Sequence, residues 1–101
     1  MNETPWFVYL LQCRSGRIYT GVTPTLNQRM KAHKTKRGSL FTKMDPPVRL
    51  LAAKPFPTKG EALRIERQVK GVSAPHKLRL AELWLEQHPI DQIAQESFPL
   101  V

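Results

Sequence analysis

The stretch WFVYLLQCRSGRIYTGV, residues 6–22, decides the fold of this chain. Its first eight residues form a nearly continuous apolar and aromatic run, which is typical of a strand buried on both faces. Residues 17–22 are rich in β-branched and aromatic side chains and predict a second strand. The intervening Arg14-Ser15-Gly16 is a turn signal, so the whole stretch predicts a β-hairpin.

The length of the hairpin loop decides which side chains share a face of the sheet. We predict a three-residue loop with Gly16 in the left-handed conformation that its last position requires. This loop sets Tyr19 opposite Leu11, on the same face as Tyr9. A two-residue loop would place the two tyrosines on opposite faces, and they could not then share a site.

Four further elements are predicted after the hairpin. Residues 26–34 have apolar side chains at helical spacing, and residues 48–54 read as a third strand entered through a Pro-Pro pair. The capping box at 58–61 predicts a helix over 59–70, and Ser73 begins a last helix that ends near Gln87. The order β-β-α-β-α-α predicts an α+β fold, a small three-stranded antiparallel sheet flanked by helices.

Length and composition limit the class of protein. The chain has 101 residues, of which 41% are hydrophobic, enough for one core and too few for two. We assign residues 1–88 to a single domain and 89–101 to an acidic tail. No apolar run reaches the roughly 18 residues of a membrane span and no secretion signal begins the chain, so we expect a cytoplasmic protein without a membrane partner. Cys13 is the only cysteine, which excludes an internal disulfide and a multi-thiolate metal site and reads as a buried structural thiol.

Charge is distributed unevenly along the chain. All 16 Lys and Arg residues lie within positions 1–81, whereas positions 82–101 carry four acids and no Lys or Arg. The region around the first helix is basic without any acid, which either forms a solvated loop or binds an anionic partner. The predicted nucleic-acid-binding residues there are Lys31, Lys34, Lys36, Arg37 and Lys43. The acidic tail either aids solubility, shields this basic groove or helps to form a dimer.

Several short motifs follow one another in a specific order. They are Phe7-Val8-Tyr9, Tyr19-Thr20-Gly21, Arg29-x-x-x-His33, Phe41-Thr42 and Glu66-x-x-x-Lys70. In order and spacing the sequence resembles the GIY-YIG nuclease superfamily over residues 5–87, specifically its small stand-alone bacterial single-domain members with a URI-type domain. Phe7 stands where the family has Gly and Thr20 where it has Ile, and we interpret both departures as variation in packing.

The resemblance implies a divalent-metal-dependent endonuclease that hydrolyses DNA phosphodiester bonds. Glu66 is the implied metal ligand, and one carboxylate suits Mg²⁺ (or Mn²⁺), because Mg²⁺ keeps most of its waters and takes other ligands from phosphate. Arg29 is the implied partner of the charge that develops on the phosphate. Lys70, one turn beyond Glu66, either pairs with it or reaches the nucleic-acid backbone.

The remaining implied catalytic residues are Tyr9, Tyr19 and His33. Either tyrosine is a candidate to take the proton of the attacking water, provided that cations lower its pKa from the ordinary value near 10. The sequence leaves the choice between them open. His33, one turn beyond Arg29, either orients water or contacts phosphate.

The expected substrate is single-stranded or structured DNA, because a bare domain of this size lacks an appended module for reading a long base sequence. RNA remains an alternative substrate, and a homodimer or a protein partner remains open. The alternative function is a non-catalytic nucleic-acid-binding module that uses the same basic groove. Such a module would bind in a salt-dependent manner without needing Glu66.

Overall fold

The structure is a computed structural model that describes residues 4–34 and 44–90. Its elements are, in order, β1 (Trp6–Cys13), β2 (Ile18–Thr23), α1 (Leu26–Lys34), β3 (Pro47–Phe56), α2 (Lys59–Lys70) and α3 (Ala74–Gln87). Within the described residues, one three-stranded antiparallel sheet is flanked by three helices. The predicted α+β fold and its β-β-α-β-α-α order are therefore confirmed. No helix in those two ranges is long and apolar enough to span a bilayer.

The β1–β2 hairpin has the predicted three-residue loop. Gly16 adopts a φ of 94°, and the N–H of Cys13 donates to the carbonyl oxygen of Arg17 at 2.8 Å. This register places Tyr19 on the same face as Tyr9. The loop length inferred from sequence thus brings both tyrosines to one side of the sheet.

Strand β1 lies in the middle of the sheet, in the order β2-β1-β3. A register shift on the β3 side sets Leu10 opposite Ala52 but Leu11 opposite Leu50, so Leu51 is an extra residue. Such a bulge bends the strand and lets consecutive residues face the same layer. Both sides of the central strand are covered, which explains the unbroken apolar run in the sequence.

Strand β3 is longer than predicted. We expected it to end at Lys54 because a proline follows, but it continues through Pro55 to Phe56. In the described sheet β3 is an edge strand with β1 as its neighbour. Proline is tolerated at an edge because its missing N–H can face away from the ladder.

Two apolar clusters lie on opposite faces of the sheet. One face packs against α2 and α3, and its buried members are Val8, Leu10, Ile18, Leu51, Ala52, Ala62, Val69, Ala81 and Trp84. The other face packs against α1, and its buried members are Tyr9, Leu11, Met30, Leu50 and Ala53. Tyr9 is therefore both a candidate site residue and a part of the core.

The apolar stripe of α3, which consists of Leu78, Ala81, Trp84 and Leu85, is only half buried. Ala81 and Trp84 are buried, whereas Leu78 and Leu85 are 40% and 42% exposed. A three-stranded sheet that already carries α2 leaves α3 a narrow contact strip, so the flanks of its stripe reach solvent. The start of α2 agrees with the prediction, since the Thr58 hydroxyl accepts a hydrogen bond from the N–H of Glu61.

Candidate active site

A buried hydrogen bond joins Tyr9 of β1 to His33 of α1. The hydroxyl oxygen lies 2.9 Å from Nε2 of His33, and the two residues are 0% and 1% exposed. Burial, with a contribution from the positive charge of Arg29, lowers the pKa of His33 to about 4. The imidazole is therefore neutral at neutral pH, and either ring nitrogen can carry its proton. The pair is a neutral, fixed unit that links the central strand to α1.

The pKa of Tyr9 is raised to about 12, chiefly because the side chain is buried. Interaction with Arg29 lowers this pKa, while the nearby Tyr19 and Glu66 raise it. The field of the guanidinium alone thus does not offset burial at Tyr9. Tyr9 keeps its proton at neutral pH and can act as a hydrogen-bond donor there.

Three aromatic rings meet at this point. The ring centroid of Tyr19 lies 6.2 Å from that of Tyr9 and 5.6 Å from that of His33, and the centroids of Tyr9 and His33 are also 5.6 Å apart. These separations are typical of tilted and edge-to-face aromatic contacts. The predicted proximity of the two tyrosines is therefore met, and His33 joins them.

Gly21 leaves room for the ring of Tyr9, with which it is paired across the β1–β2 ladder. A methyl group at Gly21 would lie 2.5 Å from Cζ of Tyr9 and 3.0 Å from Cε2. Because Tyr9 is fully buried, its ring has little space to move away. Gly21 is thus required because a larger residue at this position would collide with the ring of Tyr9.

We expect Gly21→Ala to destabilise the fold by about 1–3 kcal/mol, the usual range for overpacking a filled core. Urea unfolding measures this change. Gly60→Ala is the matched control, because a methyl group there would meet nothing nearer than 4.0 Å and alanine favours a helix. Equal unfolding curves for Gly21→Ala and the wild type would show that the ring of Tyr9 is not confined by Gly21.

The buried neutral state of His33 predicts an acid-sensitive fold. Its pKa is about 4 in the folded protein and near 6.5 in an unfolded chain. Between these values the unfolded chain binds a proton that the folded protein does not, so stability falls as the pH falls. The loss should be on the order of 3 kcal/mol from about pH 6.5 to about pH 4.

Urea unfolding across this pH range tests the contribution of His33. We expect His33→Gln to reduce the loss of unfolding free energy between about pH 6.5 and about pH 4. The control His76→Gln, at an exposed position on α3, should leave the pH dependence of stability as steep as in the wild type. If the unfolding free energy of His33→Gln falls as steeply at low pH as that of the wild type, other groups cause the acid sensitivity.

Arg29 lies one turn before His33 on α1. Its Nε atom is buried without a hydrogen-bond partner in the described part of the chain, and so is Nδ1 of His33. Buried polar atoms are rarely left unsatisfied, so two of them one turn apart indicate a place completed by a ligand or water. A guanidinium that is not fully engaged matches the oxygens of a phosphate group.

Glu66 stands on α2, and its side chain is 17% exposed. Its Oε2 lies 3.5 Å from Nζ of Lys70, which is one of the two arrangements expected for that lysine. Within residues 4–34 and 44–90, no three His, Cys, Asp or Glu side chains come together as a metal cluster. A single carboxylate of this kind fits a largely hydrated Mg²⁺, which does not need an all-protein cage.

The predicted basic groove is described only in part. Lys31 is exposed on α1, and Lys70 lies beside Glu66. The remaining predicted groups lie outside the described residues, namely the side chain of Lys34 and residues Lys36, Arg37 and Lys43. Their role in binding nucleic acid stays a prediction.

Sequence reasoning missed two basic residues near the site. Arg17 and Lys77 line a cavity of about 480 Å³ together with Tyr19 and Lys70. In the sequence these two residues belong to no motif and look like ordinary surface charges. Only the folded chain brings the start of α3 near β2, where both line this cavity. A second cavity of about 460 Å³ lies on the other side of the sheet and includes none of the candidate catalytic residues.

Cys13, which the sequence predicts to be a structural thiol, is not one of the candidate catalytic residues. Cys13 is buried at the end of β1, and burial raises the pKa of its thiol to about 11. A thiol with so high a pKa is a poor nucleophile at neutral pH. This agrees with its prediction as a structural residue.

Comparison with known proteins adds evidence independent of this geometry. The model of the GIY-YIG catalytic domain matches residues 5–79. UPF0213 protein XAC3202 from Xanthomonas axonopodis pv. citri is 39% identical over 95 residues, which cover 94% of this chain and 87% of that protein. UPF0213 protein BH0048 from Halalkalibacterium halodurans is 40% identical over 77 residues, covering 76% of this chain and 82% of that protein.

One solved structure is similar to this chain. The solution NMR structure of UPF0213 protein BH0048 from Bacillus halodurans matches with a TM-score of 0.50 and 39% identity, covering 78% of this chain and 84% of that chain. The family match spans the hairpin, α1 and α2, which together supply every candidate catalytic residue. The chain therefore belongs to the GIY-YIG family, a family of nuclease catalytic domains.

Proposed function

We propose that this protein is a divalent-metal-dependent endonuclease that hydrolyses phosphodiester bonds in single-stranded or structured DNA. The observation that carries the proposal is the unsatisfied pair Nε of Arg29 and Nδ1 of His33, both buried beside two tyrosines. Buried nitrogens are rarely left without a partner, so these two favour a ligand or water at this place. A phosphate group would supply the oxygens that they lack.

Arg29 is suited to stabilise charge on the phosphate during the reaction. Hydrolysis adds negative charge to the phosphate oxygens, and a fixed guanidinium stabilises that charge more than it stabilises the substrate. The helix holds Arg29 one turn from His33, and the 2.9 Å bond to Tyr9 holds His33 in place. This bond therefore ties the helix that carries Arg29 to the central strand.

Of the two tyrosines, we assign proton transfer from the attacking water to Tyr19, which accepts that proton in its phenolate form. Tyr9 is fully buried, and its pKa of about 12 keeps its proton in place. Tyr19 is only partly buried, so water can reach its surroundings. Tyr9 then acts as a positioning residue through its bond to His33. This assignment predicts that Tyr19→Phe lowers the rate of cleavage more than Tyr9→Phe does, once both are compared at equal folded fraction.

Glu66 is the residue that would hold the divalent ion. GIY-YIG nucleases are generally metal dependent, and the ion would supply Lewis-acid stabilisation of the phosphate and the leaving oxygen. Glu66 lies close enough to Tyr9 to influence its pKa, so the carboxylate and the aromatic cluster serve one site. Lys70 neutralises Glu66 in the protein as described.

The test is a cleavage survey with purified protein. Single-stranded, duplex and branched DNA, with RNA of matched sequence, are incubated with Mg²⁺, with Mn²⁺ or with EDTA. We expect cutting of single-stranded or branched DNA that EDTA abolishes. Arg29→Ala should remove it, while the control Arg64→Ala, at an exposed position on α2, should retain it.

The survey also separates the alternative function. Binding of DNA without cutting under any metal condition would favour the non-catalytic nucleic-acid-binding module. Cutting by Arg29→Ala at the wild-type rate would contradict the proposed site. Cutting confined to RNA would keep the site and correct the substrate.

A further inference from the structure

The cavity beside the candidate site is unusually basic. Its volume is about 480 Å³, and its lining includes Arg17 before β2, Lys70 at the end of α2 and Lys77 on α3. No acidic side chain lines it among the described residues. These basic side chains come from three elements, and Lys70 is compensated in part by Glu66 at 3.5 Å, but a lining with this sign of charge attracts anions. The charge of the lining therefore indicates an anionic ligand.

A second observation at the same cavity concerns Thr20, which also lines it. Thr20 is 2% exposed, and its Oγ1 atom is buried without a hydrogen-bond partner in the described part of the chain. A buried hydroxyl without a partner is uncommon and costs free energy. This buried hydroxyl is independent of the surface charges, and it belongs to a residue that lines the same cavity.

The cavity is continuous with the candidate active site through two residues. Tyr19 lines the cavity and also contacts the rings of Tyr9 and His33. Lys70 lines the cavity and pairs with Glu66 at 3.5 Å. A chain that carries a phosphate on every nucleotide could therefore occupy both places at once, crossing the edge of β2.

We propose that this cavity is a second phosphate subsite, which binds a backbone phosphate of the same nucleic-acid strand next to the phosphate that is cut. The inference rests on the proposed function, since it extends the substrate path away from the reacting group. Arg17 presents a planar fork that matches phosphate oxygens, and Lys77 adds a point charge. The cavity volume is within the range of sites that hold a nucleotide-sized group.

A subsite of this kind contributes binding and leaves the chemical step unchanged. Its contacts are the same in the substrate complex and in the transition state, so their loss raises KM and leaves kcat unchanged. Its contacts are also electrostatic, so they contribute to the salt dependence of binding. Each phosphate contact on a single strand contributes roughly 0.7 to the slope of log K against log salt concentration.

The experiment compares two double variants of equal net charge. Arg17→Gln/Lys77→Gln removes two cations from the cavity, and the control Arg49→Gln/Arg79→Gln removes two exposed cations elsewhere on β3 and α3. Binding of a fluorescent single-stranded DNA oligonucleotide is measured in EDTA over a series of salt concentrations. Cleavage of the same oligonucleotide is then measured with Mg²⁺, and thermal unfolding verifies that both variants fold.

We expect the cavity variant to lose roughly 1.4 from the salt slope and about tenfold or more in affinity at 0.1 M salt. Its kcat at saturating oligonucleotide should stay within about twofold of the wild type. The control variant Arg49→Gln/Arg79→Gln should have the same slope of log K against log salt concentration as the wild type. Equal losses in both variants, or none in either, would overturn the subsite.

The two proposals fail in different ways. Wild-type protein that shows the expected salt slopes but never cuts would sink the endonuclease and leave the phosphate subsite standing. Wild-type protein that cuts, with slopes unaffected by Arg17→Gln/Lys77→Gln, would sink the subsite alone. A loss of kcat with unchanged KM in the cavity variant would assign these residues to the chemical step and also contradict the subsite.

Discussion

Glu66→Gln should lower metal-supported DNA cleavage by about 10³-fold or more, which corresponds to the several kcal/mol that a bound metal contributes to a phosphoryl transition state. The substitution keeps the size of the side chain and removes its charge. Glu66 is 17% exposed and pairs with an exposed lysine, so the fold should tolerate the change. Single-turnover cleavage with Mg²⁺ measures the loss.

Two further measurements make the Glu66 prediction specific. Affinity for DNA in EDTA should stay equal or rise, because a negative charge near the phosphates is removed. Glu61→Gln is the matched control, since it removes the same charge from an exposed position in the first turn of the same helix. Wild-type cleavage by Glu66→Gln would contradict its role as the metal ligand.

Arg29→Lys should lower cleavage by about 10² to 10³-fold, the usual loss when one preorganised donor to a developing charge is removed. Lysine keeps the positive charge but cannot donate two parallel hydrogen bonds to a phosphate. The Nε atom of Arg29, buried without a partner in the described part of the chain, is also removed. Binding of uncut DNA should change far less than the rate.

The control for Arg29 is Arg64→Lys, which makes the same exchange at an exposed position on α2. Comparison of single-turnover rates and EDTA affinities separates the transition-state contribution from simple attraction. If Arg29→Lys cuts at the wild-type rate, then charge alone suffices and the fork geometry has no role. If Arg29→Lys and Arg64→Lys lose the same fraction of the cleavage rate, the cause is reduced folding, which urea unfolding measures.

The hairpin and the helical spacing were predictable because they depend on neighbouring residues. The loop length fixes the register, and the register places Tyr19 near Tyr9. The spacing of four residues between Arg29 and His33 sets both side chains on one face of α1. Loop length and helical spacing do not depend on contacts with distant parts of the chain.

The remaining features depend on contacts between distant parts of the chain. The bulge at Leu51 and the continuation of β3 through Pro55 follow from which strand lies at the edge. The raised pKa of Tyr9 follows from burial, which no spacing rule measures. The cavity lined by Arg17 and Lys77 needs the start of α3 near β2. Sequence patterns do not encode these juxtapositions directly.

The position of Tyr9 in the apolar cluster beneath α1 couples the proposed active site to the cooperative unfolding of the core. In many enzymes the reactive groups sit on loops and fail before the scaffold melts. Here the tyrosine–histidine bond is itself part of the packed interior, so no partly unfolded form can retain the reactive arrangement. Heat inactivation should therefore follow the same transition as the loss of structure. Substitutions at Tyr9 and His33 should lower both the cleavage rate and the stability of the core.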